Sequence, residues 1–311
     1  MADTQSARGI LMVRPISFGF DQETARSNTF QHRLPIGKGR MREQACKEFD
    51  AAVQSLRNHG ISITVFEDGP LPEKPDAVFP NNWLSMWPDG TVYLYPMATE
   101  SRRVERSRAA LNLLTNQWQI THVEDLSVHE KEGSFLESTG VMIFDHIHKI
   151  VYGCLSVRCD EALFRAHAIA LGYKPFLFRA VNELGTPIYH TNVLMGVQTK
   201  TAVVCMESIR DSGERSTLEE LLVNSGRTVI TISYDQMNSF CGNILEVQNK
   251  SGERFVVMSQ KAYDTFTREQ REQLSKSGAL LPISIPTIEI VGGGSARCMM
   301  AEIFLPEKQT I

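Results

Sequence analysis

The chain has 311 residues, a formal net charge of −4 and an apolar fraction of 42%, values typical of a globular protein with a substantial core. The negative charge and the scattered lysines and arginines argue against nucleic acid as a partner, and no run of about 18 apolar residues predicts a membrane span. The first residues lack the pattern of a secretory leader and the six cysteines lack CxxC spacing, so we expect a cytoplasmic protein with free thiols.

Runs of β-branched and aromatic residues predict strands along the whole chain. Amphipathic segments with helical spacing separate these runs, which is typical of an α/β protein. No Ser/Gly linker or low-complexity tract divides the sequence, so we expect a single domain over residues 1–311. The predicted strands, in chain order, are 10–15, 77–84, 91–96, 135–145, 149–155, 187–197, 201–206, 242–248, 254–259, 287–293 and 297–305.

The first helical segment, 42–60, is the best defined, because Ala45, Phe49 and Leu56 form one apolar face. A polar, glycine-bearing tract precedes it at 17–40. A loop of that length inside a domain is usually functional or mobile, so we interpret the tract as a lid. Further helices are predicted over 98–117, 160–171, 214–225 and 260–275.

The predicted strands form pairs across short polar turns at 88–90, 145–148, 198–200 and 249–252, and a helical segment follows each pair. The first strand of each unit carries one polar residue, and these residues follow one another at intervals of 55, 53, 53 and 55. That period predicts five copies of one strand–strand–helix unit, which can close into a propeller-like ring around a central cavity. The five residues are Asn82, Glu137, His190, Asn243 and Cys298.

Near the end of the chain, the segment IEIVGGGSARCMMAEIFL (288–305) places three glycines and Arg297 before Cys298. Cys298 is a packed core thiol, part of a phosphate-binding turn, or a nucleophile. A P-loop has Lys-Ser or Lys-Thr after its glycines and a helix that begins there, and this segment has neither feature. The remaining alternatives are the packed thiol and the nucleophile, for which glycines free the approach and a nearby cation favours the thiolate.

Four motifs together resemble a known group of enzymes, the guanidino-group-modifying superfamily of arginine deiminases, dimethylargininases and amidinotransferases. The resemblance covers about residues 10–305 and is strongest to citrulline-utilization hydrolases. It implies the pentein fold, a five-bladed propeller of ββαβ units around a central active site, and a covalent Cys–His mechanism without cofactor or metal. The motifs are PNNW with DGTVYLYPMATESRRVER (80–106), FLESTG (135–140), YHTNV (189–193) and GGGSARCMMAE (292–302).

By this resemblance, Cys298 is the nucleophile and His190 the general acid/base. Glu137 is a catalytic carboxylate that accepts N–H groups of the substrate, and Arg158 meets the substrate carboxylate. His190 lies two residues from Asn192 on a predicted strand, so both side chains are expected on one face.

The chain departs from arginine deiminases at two positions, because Asn82 and Asn192 stand where those enzymes carry aspartates. A buried guanidinium needs carboxylates, whereas an asparagine satisfies a neutral ureido group. We therefore expect a citrulline-type substrate, converted to ornithine, ammonia and carbon dioxide, with Asn82, Asn192, Arg158 and Asn243 in the binding site. The neighbouring Asn81 and Asn82 alternate faces, so only one of them can reach the ring centre, and we assign Asn82.

Several alternatives remain. The chain is a guanidino hydrolase of the deiminase or dimethylargininase type, an amidinotransferase, or a non-catalytic pentein that acts as a binding module. The expected partner is a small amino acid, not nucleic acid or a membrane. A homo-oligomer is an alternative to a monomer. The histidines of 145–148 are assigned to a hairpin turn and not to a metal site. The remaining cysteines are assigned to packing: Cys46, Cys154, Cys159, Cys205 and Cys241.

Overall fold

The computed structural model describes residues 4–308, and local sequence signals begin many of its elements. The predicted helix 42–60 is confirmed as α1 (Lys38–Asn58), with Phe49 and Leu56 buried. Polar side chains cap later helices, as where the Asp211 carboxylate accepts the backbone N–H of Glu214. The other helices are α2 (Glu100–Arg103), α3 (Arg108–Leu114), α4 (Ser138–Val141), α5 (Glu161–Ala170), α6 (Ser212–Asn224), α7 (Tyr234–Asn238), α8 (Gln260–Thr265), α9 (Arg268–Leu274) and α10 (Pro286–Gly292).

The strands are short and lie between these helices, which gives a mixed α/β fold. They are β1 (Gly9–Arg14), β2 (Ser62–Glu67), β3 (Leu84–Met86), β4 (Thr91–Leu94), β5 (His122–Asp125), β6 (Met142–Asp145), β7 (Ile150–Cys154), β8 (Lys174–Phe178), β9 (Met195–Val197), β10 (Thr201–Val204), β11 (Thr228–Thr231), β12 (Leu245–Gln248), β13 (Arg254–Ser259), β14 (Ala279–Ile283) and β15 (Ala301–Ile303).

One three-stranded pattern occurs five times in the described residues. A first strand pairs antiparallel with a second, at least one helix follows, and a third strand pairs parallel with the second. The five units are β3–β4–β5, β6–β7–β8, β9–β10–β11, β12–β13–β14 and β15–β1–β2. The last unit joins both ends of the chain, since β15 pairs antiparallel with β1. A parallel pairing of Ile303 with Met86 connects this unit to β3 and makes a six-stranded sheet.

The third strand of every unit was absent from the strand predictions. β5 carries a weak signal, since all four of its residues are exposed and its sequence HVED has one apolar residue. The others, such as SITVFE in β2 and TVIT in β11, have a clear β-branched signal that the strand predictions missed. The missed strands are β2, β5, β8, β11 and β14.

Three predicted strands, 77–84, 135–145 and 187–197, begin too early, because each contains a helical turn before its strand: Pro80–Asn82, Ser138–Val141 and Thr191–Val193. A fourth, 287–293, is wrong and lies almost entirely in α10. A short buried apolar run does not distinguish a strand from a helix by periodicity. Here Pro286 begins the helix and Gly293, with φ +62°, ends it in the left-handed region.

The five repeated polar residues lie directly before the first strands of the units and not within them. Asn82 precedes β3, and His190 precedes a 3₁₀-helix at Thr191–Val193 that leads to β9. The prediction that His190 and Asn192 share one face of a strand is therefore wrong. Both side chains are nevertheless buried, with His190 hydrogen-bonded to Glu137 and Asn192 hydrogen-bonded to Cys298. The five side chains therefore project from loops or short helical turns and not from strands.

In residues 4–308, no helix has the length and apolar character needed to cross a membrane.

Candidate active site

Cys298 lies in the loop between α10 and β15 and is 3% exposed. Two side-chain amides donate to its sulfur: Nδ2 of Asn243 at 3.1 Å and Nδ2 of Asn192 at 3.5 Å. The Cys298 backbone N–H donates to Oδ1 of Asn243 at 3.4 Å, which fixes the orientation of that amide. Burial raises the pKa of the Cys298 thiol, while hydrogen bonds, including those from the amides, act in the opposite direction. The amides are therefore placed to stabilise a thiolate once it forms.

The glycines before Cys298 are required by close contacts. A Cβ atom on Gly292 would lie 2.7 Å from Cζ of Phe79, and one on Gly294 would lie 2.9 Å from Cε1 of the same ring. The phenyl ring of Phe79 therefore packs directly against the backbone of the loop that carries Cys298. The glycines are therefore needed for this packing, in addition to the open approach to Cys298 that the sequence predicts.

His190 is buried beside the carboxylate of Glu137. Nε2 of His190 lies 2.7 Å from Oε2 of Glu137, and the Arg158 guanidinium donates to the same oxygen at 3.1 Å. Burial lowers the pKa of His190 to about 4 and outweighs the opposing effect of Glu137. Burial alone would raise the pKa of Glu137, but Arg158 and His190 lower it on balance. At neutral pH, the site therefore holds a neutral imidazole hydrogen-bonded to an ionised carboxylate.

The expected contact between Glu137 and substrate N–H groups is not supported. Oε1 of Glu137 accepts the backbone N–H of Ala98 at 3.1 Å, and Oε2 accepts both His190 and Arg158. Both oxygens are engaged inside the protein. Glu137 is placed to orient His190 and to stabilise its protonated form, as a carboxylate does beside a catalytic imidazole.

Asn82 is oriented by an arginine that sequence reasoning did not select. Arg102 donates from its guanidinium to Oδ1 of Asn82 at 2.7 Å, and it forms a buried ion pair with Glu105 at 2.8 Å. Because a guanidinium only donates, Oδ1 of Asn82 must face Arg102 and Nδ2 must face away. Nδ2 of Asn82 is buried and has no partner among the described residues. The motif ESRRVER held Arg102, but nothing local separates it from its neighbours Arg103 and Arg106.

Nδ2 of Asn82 lies next to His190. A Cβ atom on Gly140 would lie 2.5 Å from this nitrogen and 3.0 Å from Cε1 of His190. The absence of a side chain at Gly140 therefore lets Asn82 and His190 approach the same space.

Asp76 is a second residue that sequence reasoning missed. Its carboxylate is 3% exposed and accepts the Thr24 hydroxyl at 2.9 Å and the Gln31 amide at 3.4 Å. Burial raises the pKa of Asp76 to about 7, against the effect of Arg102. A buried acid of this kind in a cavity marks a candidate ligand contact.

The predicted lid lies over this site. We call residues 17–36 the cover segment, since α1 already begins at Lys38. Arg158 donates to the backbone carbonyl of Thr24 and to the Ser27 hydroxyl, and the Asn28 amide donates to the carbonyl of Gly293 at 3.2 Å. Beneath it, the free volume is only about 10 Å³. The cavity is lined by Thr24, Asn28, Asp76, Phe79, Asn82, Arg102, Arg158, Tyr189, His190, Gly292, Gly293, Gly294 and Cys298.

The structure brings all seven predicted site residues together, although not all reach the cavity wall. Asn82, Arg158, His190 and Cys298 line it. The other three contact these residues from behind: Glu137, Asn192 and Asn243.

The other features singled out in the sequence lie elsewhere. Asp145, in the 145–148 turn, forms an ion pair with Arg227, and His148 bonds to Asp145. Within residues 4–308, no group of three His, Cys, Asp or Glu side chains is arranged to hold a metal ion. Four of the remaining cysteines are buried and Cys46 is half-buried, and burial raises the pKa of each thiol.

Solved structures share this fold. Full-length ArgZ, an arginine dihydrolase from the ornithine–ammonia cycle in Cyanobacteria, matches 97% of this chain with a TM-score of 0.74 and 16% identity. The chain spans 41% of full-length ArgZ and 99% of its separately solved N-terminal domain, which was bound to substrate. Dimethylarginine dimethylaminohydrolase, as an adduct with S-methyl-L-thiocitrulline, matches 96% of the chain with a TM-score of 0.62 and 13% identity. A comparison with curated proteins gave no match.

A family model described as N,N dimethylarginine dimethylhydrolase, eukaryotic, matches residues 14–305. This match and the shared fold place the protein in the pentein superfamily of guanidino-group-modifying enzymes. The matched family and the named neighbours are hydrolases of arginine or its dimethylated form. Within that superfamily, the chain belongs to the eukaryotic N,N-dimethylarginine dimethylhydrolase family. The superfamily resemblance found in the motifs is confirmed.

Proposed function

We propose that this protein hydrolyses the ureido group of a citrulline-type amino acid, with Cys298 as nucleophile, and releases ornithine, ammonia and carbon dioxide. The observation that carries the proposal is the orientation of Asn82. Its oxygen is held by Arg102, so the site offers an N–H donor next to His190. A ureido oxygen accepts such a donor, whereas a guanidinium has only N–H groups to present.

In the proposed site, the amino-acid end of the substrate lies toward the cover segment. Nη1 and Nη2 of Arg158 bind Glu137, Thr24 and Ser27, while its Nε–H has no partner among the described residues and is the donor assigned to the α-carboxylate. Asp76 is the buried acid on the same wall and suits the α-amino group. The ureido group then extends between Asn82 and Cys298.

In the first proposed step, His190 takes the thiol proton and the Cys298 thiolate forms a bond to the ureido carbon. Nδ2 of Asn82 donates to the oxygen as its negative charge grows. The C–N bond breaks, and the departing ornithine amine takes the proton from His190. An S-carbamoyl group, a thiocarbamate, remains on Cys298.

In the second step, water replaces the sulfur. His190 removes a proton from the water, the new C–O bond forms, and the thiolate leaves. The product is carbamic acid, which breaks down to ammonia and carbon dioxide. Asn192 and Asn243 stabilise the released thiolate through their N–H groups, and Glu137 stabilises the imidazolium.

We further propose that the five three-stranded units close into a five-bladed propeller with this site at its centre. The repeat of the units and the position of the five polar residues before the first strands support this arrangement.

A guanidino substrate is the second candidate. The family model and the named neighbours favour it, since those enzymes act on arginine or its dimethylated form. The buried carboxylates of Asp76 and Asp21 also favour a cation in this region. An amidinotransferase differs only in the second step, where an amine replaces water. A non-catalytic module has no use for a thiol held by two amide donors.

The test is the release of ammonia, dimethylamine and amino-acid products from citrulline, arginine, N,N-dimethylarginine and agmatine, because loss of the dimethylamino group from N,N-dimethylarginine gives dimethylamine and not ammonia. We expect the largest kcat/KM with citrulline and no dependence on an added amine. Cys298→Ser should abolish turnover with the fold intact, because an alcohol is a far weaker nucleophile than a thiolate. Cys205→Ser, which alters a buried thiol that is neither in the cavity wall nor next to a site residue, is the matched control. Turnover that survives in Cys298→Ser would exclude the covalent mechanism.

The variant Asn82→Asp tests the substrate. A carboxylate at this position repels the ureido oxygen and stabilises a guanidinium, so kcat/KM should fall for citrulline and rise for arginine. The lost donor should cost about ten- to hundredfold with citrulline. If the wild type already prefers arginine, or if the ratio is unchanged in the variant, the neutral-substrate assignment is wrong.

A further inference from the structure

A second, larger cavity lies next to the active site and has no part in the proposed reaction. Its volume is about 620 Å³, within the range of small-molecule sites. We call it the outer cavity. Its walls come from the cover segment, from the 182–186 loop, from α8 and from α10.

The outer cavity has an apolar wall that is partly open to solvent. Phe30 of the cover segment and Phe240 lie with ring centroids 5.3 Å apart. Ile290 is 38% exposed and Leu184 is 90% exposed, although both are large apolar residues. Exposed apolar side chains gathered around one concavity indicate a binding surface, whereas isolated ones do not.

The wall of the same cavity carries one ammonium group, on Lys261, and two carboxyl groups, on Glu183 and Glu289, of which Glu183 already accepts the Asn238 amide. The Glu289 side chain is almost fully buried and accepts the Ser295 hydroxyl at 2.6 Å. The Lys261 ammonium donates to the Asn238 carbonyl at 3.2 Å and lies 5.5 Å from the centroid of Phe240. An ammonium has three donors, and this hydrogen bond uses one. Burial raises the pKa of Glu289, and the charge of Lys261 acts against that rise.

From this combination we infer that the outer cavity binds a free α-amino acid with an apolar side chain. Lys261 takes the carboxylate, Glu289 takes the amino group, and the side chain packs between Phe30, Phe240 and Ile290. A ligand with one charge would leave the opposite charge of the cavity without a partner. A zwitterion with an apolar body satisfies both charges and the apolar wall.

Occupancy of the outer cavity should also affect the active site. Phe30 is two residues from Asn28, which bonds to the Gly293 carbonyl, and its ring lies 6.3 Å from that of Tyr189 in the active-site wall. Because the closed active site has almost no free volume, substrate entry requires the cover segment to move. A ligand packed between Phe30 and α10 holds the segment closed, so it should slow turnover.

The experiment is calorimetric titration of the full-length Cys298→Ser protein with L-phenylalanine, L-leucine and L-tryptophan at up to about 10 mM. Phenethylamine, which lacks the carboxylate, and 3-phenylpropionate, which lacks the amine, are the matched probes. We expect one binding site for at least one amino acid. Each truncated probe should bind about tenfold or more weakly, because it loses a charge-assisted hydrogen bond.

Three variants locate the binding. Lys261→Gln removes the cation, and Ile290→Asp places a charge in the apolar wall. Ile169→Asp makes the same change at an exposed residue outside the cavity. We expect the first two to weaken binding about tenfold or more, with Ile169→Asp unchanged. Inhibition of wild-type turnover by the amino acid should disappear in the same two variants.

Other results would overturn the inference. One is the absence of binding by all three amino acids. Another is binding that Lys261→Gln and Ile290→Asp leave intact. A third is displacement of the amino acid by citrulline or arginine with simple competition, which would mean that it occupies the active site. These outcomes are independent of which substrate the enzyme hydrolyses, because the titration uses a variant without the nucleophile.

Discussion

At the scale of single residues, the protein keeps two histidines neutral by burial. The pKa values of His190, in the active site, and His167, which bonds to the Tyr95 hydroxyl, are both lowered from 6.5 to about 4. Between those pH values, the unfolded chain binds more protons than the folded protein. The stability from each buried histidine is therefore full above about pH 6.5 and is lost as pH falls toward 4.

His167 allows this effect to be measured away from the active site. We expect His167→Gln, which can keep the bond to Tyr95, to flatten the decrease in unfolding free energy between pH 6.5 and 4. The difference should be on the order of 2–3 kcal/mol. Denaturant titrations at several pH values measure it, with His122→Gln as the control because that side chain is exposed. A pH slope equal to that of the wild type in His167→Gln would mean that this histidine does not carry the effect.

His190 should show a kinetic effect as well. Both proposed proton transfers pass through its imidazole, so His190→Ala should lower kcat by about 10²–10⁴-fold with the fold retained. Single-turnover ammonia release and circular dichroism together check this. A loss smaller than about tenfold would assign the proton transfer to another group.

At the scale of elements, the end of α10 controls both the nucleophile loop and the cover segment. Gly293 has φ +62°, and a Cβ atom there would lie 2.6 Å from Cγ of Gln31 and 2.7 Å from Nδ2 of Asn28. The backbone conformation and the close contact thus both require glycine. Gly172 has φ +78°, but no atom lies within 4 Å of the position that a Cβ atom would take. A substitution there therefore measures only the cost of the left-handed conformation.

We expect Gly172→Ala and Gly293→Ala each to lose about 1–2 kcal/mol of stability from the left-handed conformation. Only Gly293→Ala should also displace the cover segment and lower kcat/KM, by about tenfold or more. Proteolysis of residues 17–36 should become faster in that variant alone. Equal kinetics in the two variants would show that the contact with Asn28 and Gln31 has no bearing on turnover.

At the scale of the whole molecule, both ends of the chain meet in one sheet. β15 lies between β1 and β3, and Ile303 is 1% exposed at the pairing that joins two units. If the chain is a single domain, a cavity at this position weakens all five units together. If the units were independent, only the neighbouring ones would respond.

We expect Ile303→Ala to lower the unfolding free energy by about 2–5 kcal/mol, as for other buried aliphatic truncations. Tryptophan fluorescence and far-UV circular dichroism should still give one coincident transition in denaturant. Val223→Ala, at a residue that is 53% exposed, should change little. Two separated transitions would contradict the single domain.

Periodic features of this protein could be predicted without its structure. The apolar face of α1 and the recurrence of Asn82, Glu137, His190, Asn243 and Cys298 are periodic, and periodicity needs no knowledge of long-range contacts. The repeat therefore found the residues that meet near one site.

The contacts of those residues could not be predicted in this way, because they join residues that are far apart in the chain. Asn82 is oriented by Arg102, which lies 20 residues further along the chain. Glu137 is hydrogen-bonded to His190, which lies 53 residues further along. Local patterns do not specify such pairs, since any buried arginine or histidine satisfies the same rule. The same limit explains why α10 was predicted as a strand: its apolar residues fit either element, and packing against the rest of the protein selected the helix.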